Sequence, residues 1–191
     1  MMIQHVLIKS KKNILKSDNN FPKTSKLNIY LVKDETKNAL CLPNGDIYIT
    51  SSLYEKLTDD EMLTFVIAHE MAHYKNKDHL KNIRHKIAKS TITIFLSLAI
   101  PNDSTISNIS DDGLEINELG FSRGCEKQAD IYAGKILLVL YNNTIGGQKV
   151  LNTLREKTYP GILRLYATHP DIDSRIKVLR QLKQHHLKSG F

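Results

Sequence analysis

Short apolar runs separated by polar turns occupy the first fifty residues, and this pattern is typical of strands. Residues 27–32 alternate between polar and apolar side chains, which predicts a strand. The runs 39–42 and 46–50 flank an Asn-Gly dipeptide, a strong signal for a hairpin turn. Residues 1–20 open on a brief apolar run and become polar, so we expect a short strand, in an N-terminal segment that is either poorly ordered or peripheral. The start of the chain is therefore predicted to form a small antiparallel sheet.

Beyond residue 50 the apolar positions recur at helical spacing. Thr58, followed three residues later by Glu61, is a capping-box signature for the start of a long helix. The apolar stripe of this helix is Leu63, Val66, Ile67, Ala68 and Met71. Further helices are predicted at 77–100, 122–141, 148–157 and 171–186, with a long loop at 101–121. The pattern predicts an α+β fold in a single domain over residues 1–191, mainly helical after the sheet.

Composition and charge narrow the class of protein. A hydrophobic content of 41% over 191 residues is sufficient for one substantial core and argues against wholesale disorder. The net charge of +7 arises mainly at 131–191, where ten basic residues accompany three acidic ones, and such spacing favours a solvated helix face. No apolar stretch approaches the roughly 18 residues of a membrane span; the longest, at 91–100, ends at a proline. Because the N-terminus also lacks a secretory pattern, we expect a cytoplasmic protein; the alternative is a periplasmic or membrane-associated protein whose leader is missing from this sequence.

The candidate chemistry lies in His69-Glu70-x-x-His73, inside the predicted long helix. Residues four apart share a helix face with Cβ atoms roughly 6 Å apart, so two imidazoles at this spacing reach one Zn²⁺. Glu70 projects beside them, where its carboxylate takes a proton from metal-bound water. The alternative interpretation is two histidines and a glutamate on a partly exposed helix face, without a metal.

A catalytic zinc site needs a third protein ligand and an open fourth position. A later predicted helix offers Glu126 and, one turn on, Asp130 on the same face. Glu126 is therefore the candidate third ligand, and Asp130 is the candidate carboxylate that holds a ligand histidine by its other ring nitrogen. Alone, Glu-x-x-x-Asp usually marks a solvated helix face, so this inference depends on the upstream motif.

Four segments in order resemble the M48 metallopeptidases, a family of zinc-dependent proteases. Residues 38–50 resemble the family's strand and hairpin, and 60–73 resemble its zinc helix. The Ser-Arg-x-x-Glu-x-x-Ala-Asp run at 122–130 resembles its third-ligand helix. Thr-His-Pro at 168–170, together with Arg-Ile at 175–176, resembles the family's closing segment. Together the resemblance covers roughly residues 27–180.

The resemblance implies a zincin fold of the gluzincin type, with one Zn²⁺ per chain and cleavage of peptide bonds within polypeptides. By that resemblance the metal ligands are His69, His73 and Glu126. Glu70 is then the general base that activates the zinc-bound water, and Asp130 supports the ligands.

Three further residues receive a role from the resemblance. Asn38 and Ala39 are implied to lie on an edge strand that pairs with the substrate backbone. His169 is implied to lie near the metal, either steadying the oxyanion or acting as a reversible fourth ligand. From the sequence alone, a single histidine before proline is more often a polar residue at a turn. Membrane-bound members of the family carry transmembrane helices and periplasmic members usually carry a signal peptide, and we expect neither from the pattern of this sequence.

Two other functions stay open. The same fold and ligands suit a latent or non-proteolytic zinc-binding chaperone or regulator, kept closed by His169 or by the 101–121 loop. The basic segments 77–89 and 155–188 suit an adaptor for a membrane surface or nucleic acid, which predicts salt-sensitive binding independent of zinc. The preferred interpretation is a peptidase acting on polypeptides, with no nucleic-acid partner and at most a peripheral membrane contact.

Overall fold

The computed structural model describes residues 2–22, 26–81, 122–155 and 172–188. Their order is α1 (Met2–Ser17), β1 (Asn28–Val32), β2 (Ala39–Cys41), β3 (Asp46–Thr50), α2 (Ser51–Tyr54), α3 (Asp60–Lys75), α4 (Arg123–Tyr141), α5 (Ile145–Arg155) and α6 (Ile172–Lys188). The fold is mixed α/β and mostly helical, as predicted. The 101–121 loop, the apolar run 91–100 and His169 lie outside the described residues. Among the helices that are described, none combines the length and hydrophobicity needed to cross a membrane.

The sheet has the strand order β1-β3-β2. Strands β2 and β3 form the predicted antiparallel hairpin, and its turn requires Gly45, because φ is +91° and a Cβ there would lie 2.5 Å from the Lys26 carbonyl oxygen. Strand β1, however, pairs with β3 in parallel, so the prediction of an entirely antiparallel sheet is wrong. The hairpin turn determines only the relative direction of β2 and β3, and it leaves the direction of β1 undetermined. The connection after β1 passes over the end of β3, where Asp34 exchanges hydrogen bonds with Ser51.

The N-terminal segment is a helix, so the prediction of a short strand there is wrong. Leu7 and Ile14 lie on one face of α1 and are fully buried in the common core. Their spacing of seven is helical, but lysines and polar residues between them obscure it in the sequence. Just beyond α1, Asp18 accepts hydrogen bonds from Lys75 at 2.7 Å and from Tyr132 at 2.8 Å, which ties the segment to α3 and α4.

Helix α3 is the centre of the molecule. Its N-cap is Asp59, whose side chain accepts a hydrogen bond from the Met62 amide at 2.8 Å, one residue later than the predicted cap at Thr58. Every residue from Met62 to His73 is buried, because α1, α4, α5 and the sheet all pack against this helix. A helix enclosed on all sides holds its polar side chains in a fixed, water-poor environment.

Helices α4 and α6 lie side by side and run in the same direction. Asp130 of α4 meets Arg175 of α6, and further along the pair Asn142 meets His186. Between these contacts Gly134 allows close approach, since a Cβ there would come within 2.9 Å of Leu179 and of Leu182. This packing brings Arg175 of α6 against Glu126 and Asp130 of α4, which face the second half of α3.

Candidate metal centre

Two histidines and a glutamate from α3 form the base of the candidate site. His69, Glu70 and His73 are 4%, 3% and 0% exposed. The alternative interpretation, in which these residues lie on a partly exposed helix face, is therefore wrong for this structure. Three polar side chains that are this deeply buried need hydrogen-bonding or ionic partners, and α4 supplies the first of these partners.

Glu126, in the first turn of α4, completes a triangle of donor atoms. The Nε2 atoms of His69 and His73 are 3.1 Å apart. The Glu126 carboxylate lies 3.4 Å from the first through Oε2 and 3.3 Å from the second through Oε1. Ligands of a tetrahedral zinc ion at about 2.0–2.2 Å lie roughly 3.3–3.5 Å from one another. The spacing of these donors therefore fits a single zinc ion bound by two imidazoles and a carboxylate, the residues that the sequence nominated.

The outer nitrogen of His69 faces Asp130, one turn after Glu126. Its Nδ1 lies 3.1 Å from Asp130 Oδ1, and the Asp130 side chain is completely buried. Arg175 of α6 donates to the same carboxylate from Nε at 2.7 Å and from Nη2 at 2.8 Å. Its Nη1 also lies 3.2 Å from Glu126 Oε2. Asp130 thus lies where the sequence argument required, whereas the contacts of Arg175 with both acids were not anticipated.

The outer nitrogen of His73 faces a carboxylate that the sequence analysis missed. His73 Nδ1 is hydrogen-bonded to Asp78 Oδ2 at 3.0 Å, and Lys81 donates to Asp78 Oδ1 at 2.8 Å. The sequence gives only a weak signal for this contact, because Asp78 follows the end of the helix and a spacing of five does not fix where its side chain points relative to His73. Lys77 supplies that direction by adopting a left-handed conformation, φ +55°, just past the end of α3.

The charges around the site favour a cation between the histidines. Burial lowers the pKa of His69, but the Asp130 and Glu126 carboxylates outweigh it and raise that pKa to about 9. The pKa of His73 is also raised, because Asp78 and Glu126 overcome its burial. For Asp130, burial acts to raise the pKa, but Arg175 and His69 lower it below its usual range. A metal-free site therefore holds protons where a divalent ion would otherwise supply the positive charge.

Of the remaining predicted residues, Asn38 and Ala39 belong to the described part of the chain, whereas His169 lies outside it. Asn38 and Ala39 lie at the start of β2, buried at 4% and 7% exposure, and β2 packs against α3. In the described sheet β2 has β3 on one side only, so it is an edge strand beside α3. Cys41, the last residue of β2, is completely buried, and this burial together with the charge of Glu70 raises the pKa of its thiol. The role of His169 stays a prediction.

Comparison with known proteins finds a matching family and similar proteases. The model of Peptidase family M48 matches residues 7–183. The chain is 26% identical over 163 residues to the mitochondrial metalloendopeptidase OMA1 of Schizosaccharomyces pombe, a match covering 82% of this chain and 46% of that protein. Human mitochondrial metalloendopeptidase OMA1 is 22% identical over 191 residues, covering 92% and 36%. Protease HtpX of Legionella pneumophila is 38% identical over 64 residues, covering 31% and 22%. The chain spans less than half the length of each of these relatives.

Proposed function

The chain belongs to peptidase family M48, and we propose that it is a zinc-dependent metalloendopeptidase that hydrolyses peptide bonds within polypeptides. The observation that carries this proposal is the buried triangle of His69, His73 and Glu126, whose donor atoms lie 3.1 to 3.4 Å apart. The names of the similar proteins, two metalloendopeptidases and a protease, support the same reaction class.

We further propose that the metal is Zn²⁺, one ion per chain. Two imidazoles and one carboxylate on neighbouring helices are a donor set that zinc enzymes use with a fourth position left for water or substrate. A bound zinc ion would supply Lewis acidity, polarising the scissile carbonyl and lowering the pKa of water to about 7. This arrangement corresponds to a zincin fold of the gluzincin type, in which the third ligand is a glutamate on a later helix.

Glu70 is the proposed general base. It follows His69 directly on α3, so its carboxylate projects beside the ligand triangle rather than into it. In the proposed reaction Glu70 accepts a proton from the attacking water and returns it to the nitrogen of the leaving amine. A site that is almost completely enclosed strengthens such charge interactions, because little water competes for them.

The substrate is proposed to bind as an extended strand along β2. The free edge of β2 within the described sheet offers backbone groups at Ala39, and Asn38 is fixed next to it by hydrogen bonds between its backbone and Thr50. Pairing along this edge would place a peptide bond over the zinc helix, against which β2 packs. His169 is proposed to steady the oxyanion or to act as a reversible fourth ligand.

The proposal is tested by measuring zinc content and proteolysis together. The purified chain is analysed for metal, then incubated with unfolded casein before chelation, after chelation, and after zinc is restored. About one zinc per chain, with cleavage lost on chelation and recovered with zinc, is the expected result. Cleavage that survives complete removal of the metal contradicts the mechanism. Stoichiometric zinc without any cleavage would instead favour a zinc-binding chaperone or regulator.

A further inference from the structure

We propose that Asp78 is a positioning residue of the metal centre, which holds the His73 ring so that its Nε2 faces the metal. This inference rests on the proposed function, since it concerns the same zinc ion. Asp78 belongs neither to the His-Glu-x-x-His pattern nor to the Glu-x-x-x-Asp pattern. Its role follows from where the chain turns after α3.

The hydrogen bond between the two side chains fixes which nitrogen carries the proton. An ionised carboxylate offers only acceptors, so His73 Nδ1 must donate to Asp78 Oδ2, 3.0 Å away. A neutral imidazole has one N–H, and the lone pair is then left on Nε2. That atom points at His69 Nε2 and at Glu126 Oε1, 3.1 and 3.3 Å away. The tautomer imposed by Asp78 is therefore the one that a metal in the triangle requires.

The backbone holds Asp78 in this position. Helix α3 ends at Lys75, and Lys77 takes a left-handed conformation that reverses the chain. A new helical turn begins at once, since the amides of Leu80 and Lys81 both donate to the Lys77 carbonyl. Asp78 thus points back at the helix it has just left, and its side chain is fully buried. A non-glycine residue at this φ is strained, so the surrounding contacts must stabilise the turn.

The second oxygen of Asp78 is held as well. Lys81 donates to Oδ1 at 2.8 Å, which leaves Oδ2 for His73. The other ligand histidine has the same kind of support, since Asp130 faces His69 and is held from behind by Arg175. Each ligand ring is thus oriented by a carboxylate, and each carboxylate is fixed by a cation. Such outer partners affect metal affinity typically 10- to 100-fold.

The test is the zinc affinity of Asp78→Asn, a variant of nearly the same shape that lacks the charge. We expect competition with a colorimetric zinc chelator to give a Kd about 10- to 100-fold above that of the unaltered chain. The visible spectrum of the Co²⁺-substituted protein should also change, because the geometry around His73 is loosened. The matched control is Asp18→Asn, which removes a carboxylate that binds Lys75 of the same helix and touches neither ligand. It should leave both the Kd and the Co²⁺ spectrum unchanged.

The possible failures are distinguishable. If the unaltered chain binds no zinc, the proposed function is wrong. If it binds zinc and Asp78→Asn binds within twofold of the same affinity, the positioning role alone is wrong. If that variant does not fold, the ¹⁵N spectrum of the unaltered, histidine-labelled and zinc-loaded chain tests the positioning role instead. A protonated Nδ1 on the His73 ring supports the proposal, and a metal-bound Nδ1 overturns it.

Discussion

Arg175 holds Asp130 through two hydrogen bonds of 2.7 and 2.8 Å, and both side chains are almost completely buried. The pair joins α6 to α4 directly behind His69. Its planar, two-pronged geometry suits a guanidinium and a carboxylate, and a lysine could not reproduce it. Among the described residues α6 carries no metal ligand, and it supports the site through Arg175, which holds Asp130 and also lies 3.2 Å from Glu126.

Replacing Arg175 with methionine should lower the free energy of unfolding by about 3–5 kcal/mol, because the Asp130 charge remains buried without its cation. The matched control is Arg155→Met, which removes an exposed ion pair with Asp173 between α5 and α6. That pair should contribute less than about 1 kcal/mol. Urea unfolding of both variants is the measurement. An equal decrease in the free energy of unfolding for the two variants would show that the buried ion pair contributes no more to stability than the exposed one.

The pH dependence of stability should report the charges around His69 in the metal-free chain. Its pKa is raised from 6.5 to about 9 in the folded state, so the folded state binds the proton more tightly than the unfolded state. The resulting stabilisation is complete below about pH 6.5 and is lost as the pH rises through about 9. Urea unfolding in the presence of a chelator should therefore give a lower free energy at pH 9.5 than at pH 6.5. A His69→Gln variant should show a weaker decline, and an unchanged decline would assign it to other groups.

Lys77→Gly should stabilise the chain, by about 0.5–1 kcal/mol, because glycine adopts the left-handed conformation after α3 without steric cost. The same substitution at Lys135 provides the control. Lys135 is exposed in the middle of α4, where glycine should lower the free energy of unfolding by about 1 kcal/mol. Thermal or urea unfolding distinguishes the two, and a loss of stability at both positions would show that the left-handed turn carries no strain.

The local part of the site was predictable from the sequence, because helical spacing alone places His69 and His73 on one face of α3. The same spacing placed Glu126 and Asp130 together on α4. Their contact with α3 is not local. The need of a zinc site for a third ligand nominated Glu126, and the resemblance to a family supported that choice. The hairpin of β2 and β3 was predictable for a similar reason, since the Asn-Gly turn lies between the paired runs.

What the sequence did not reveal depends on backbone direction or on distant contacts. Asp78 reaches His73 because Lys77 adopts a left-handed conformation, which is unusual for lysine and cannot be predicted from the residue type. Arg175 meets Asp130 across 45 positions, so its direction depends on how α6 packs. The helical nature of α1 and the parallel pairing of β1 likewise come from packing against α3 and β3, which local propensity does not encode.

The measurement that most directly tests the central claim compares Glu70→Gln with Glu61→Gln. Both substitutions replace a glutamate of α3 with its amide, but Glu61 lies in the first turn, where it accepts a hydrogen bond from Asn143. Zinc content and casein cleavage are measured for each. The account predicts that Glu70→Gln keeps one zinc per chain and loses cleavage by about 100-fold or more, whereas Glu61→Gln keeps both. Undiminished cleavage by zinc-loaded Glu70→Gln would contradict the assignment of Glu70 as the general base and, with it, the proposed mechanism.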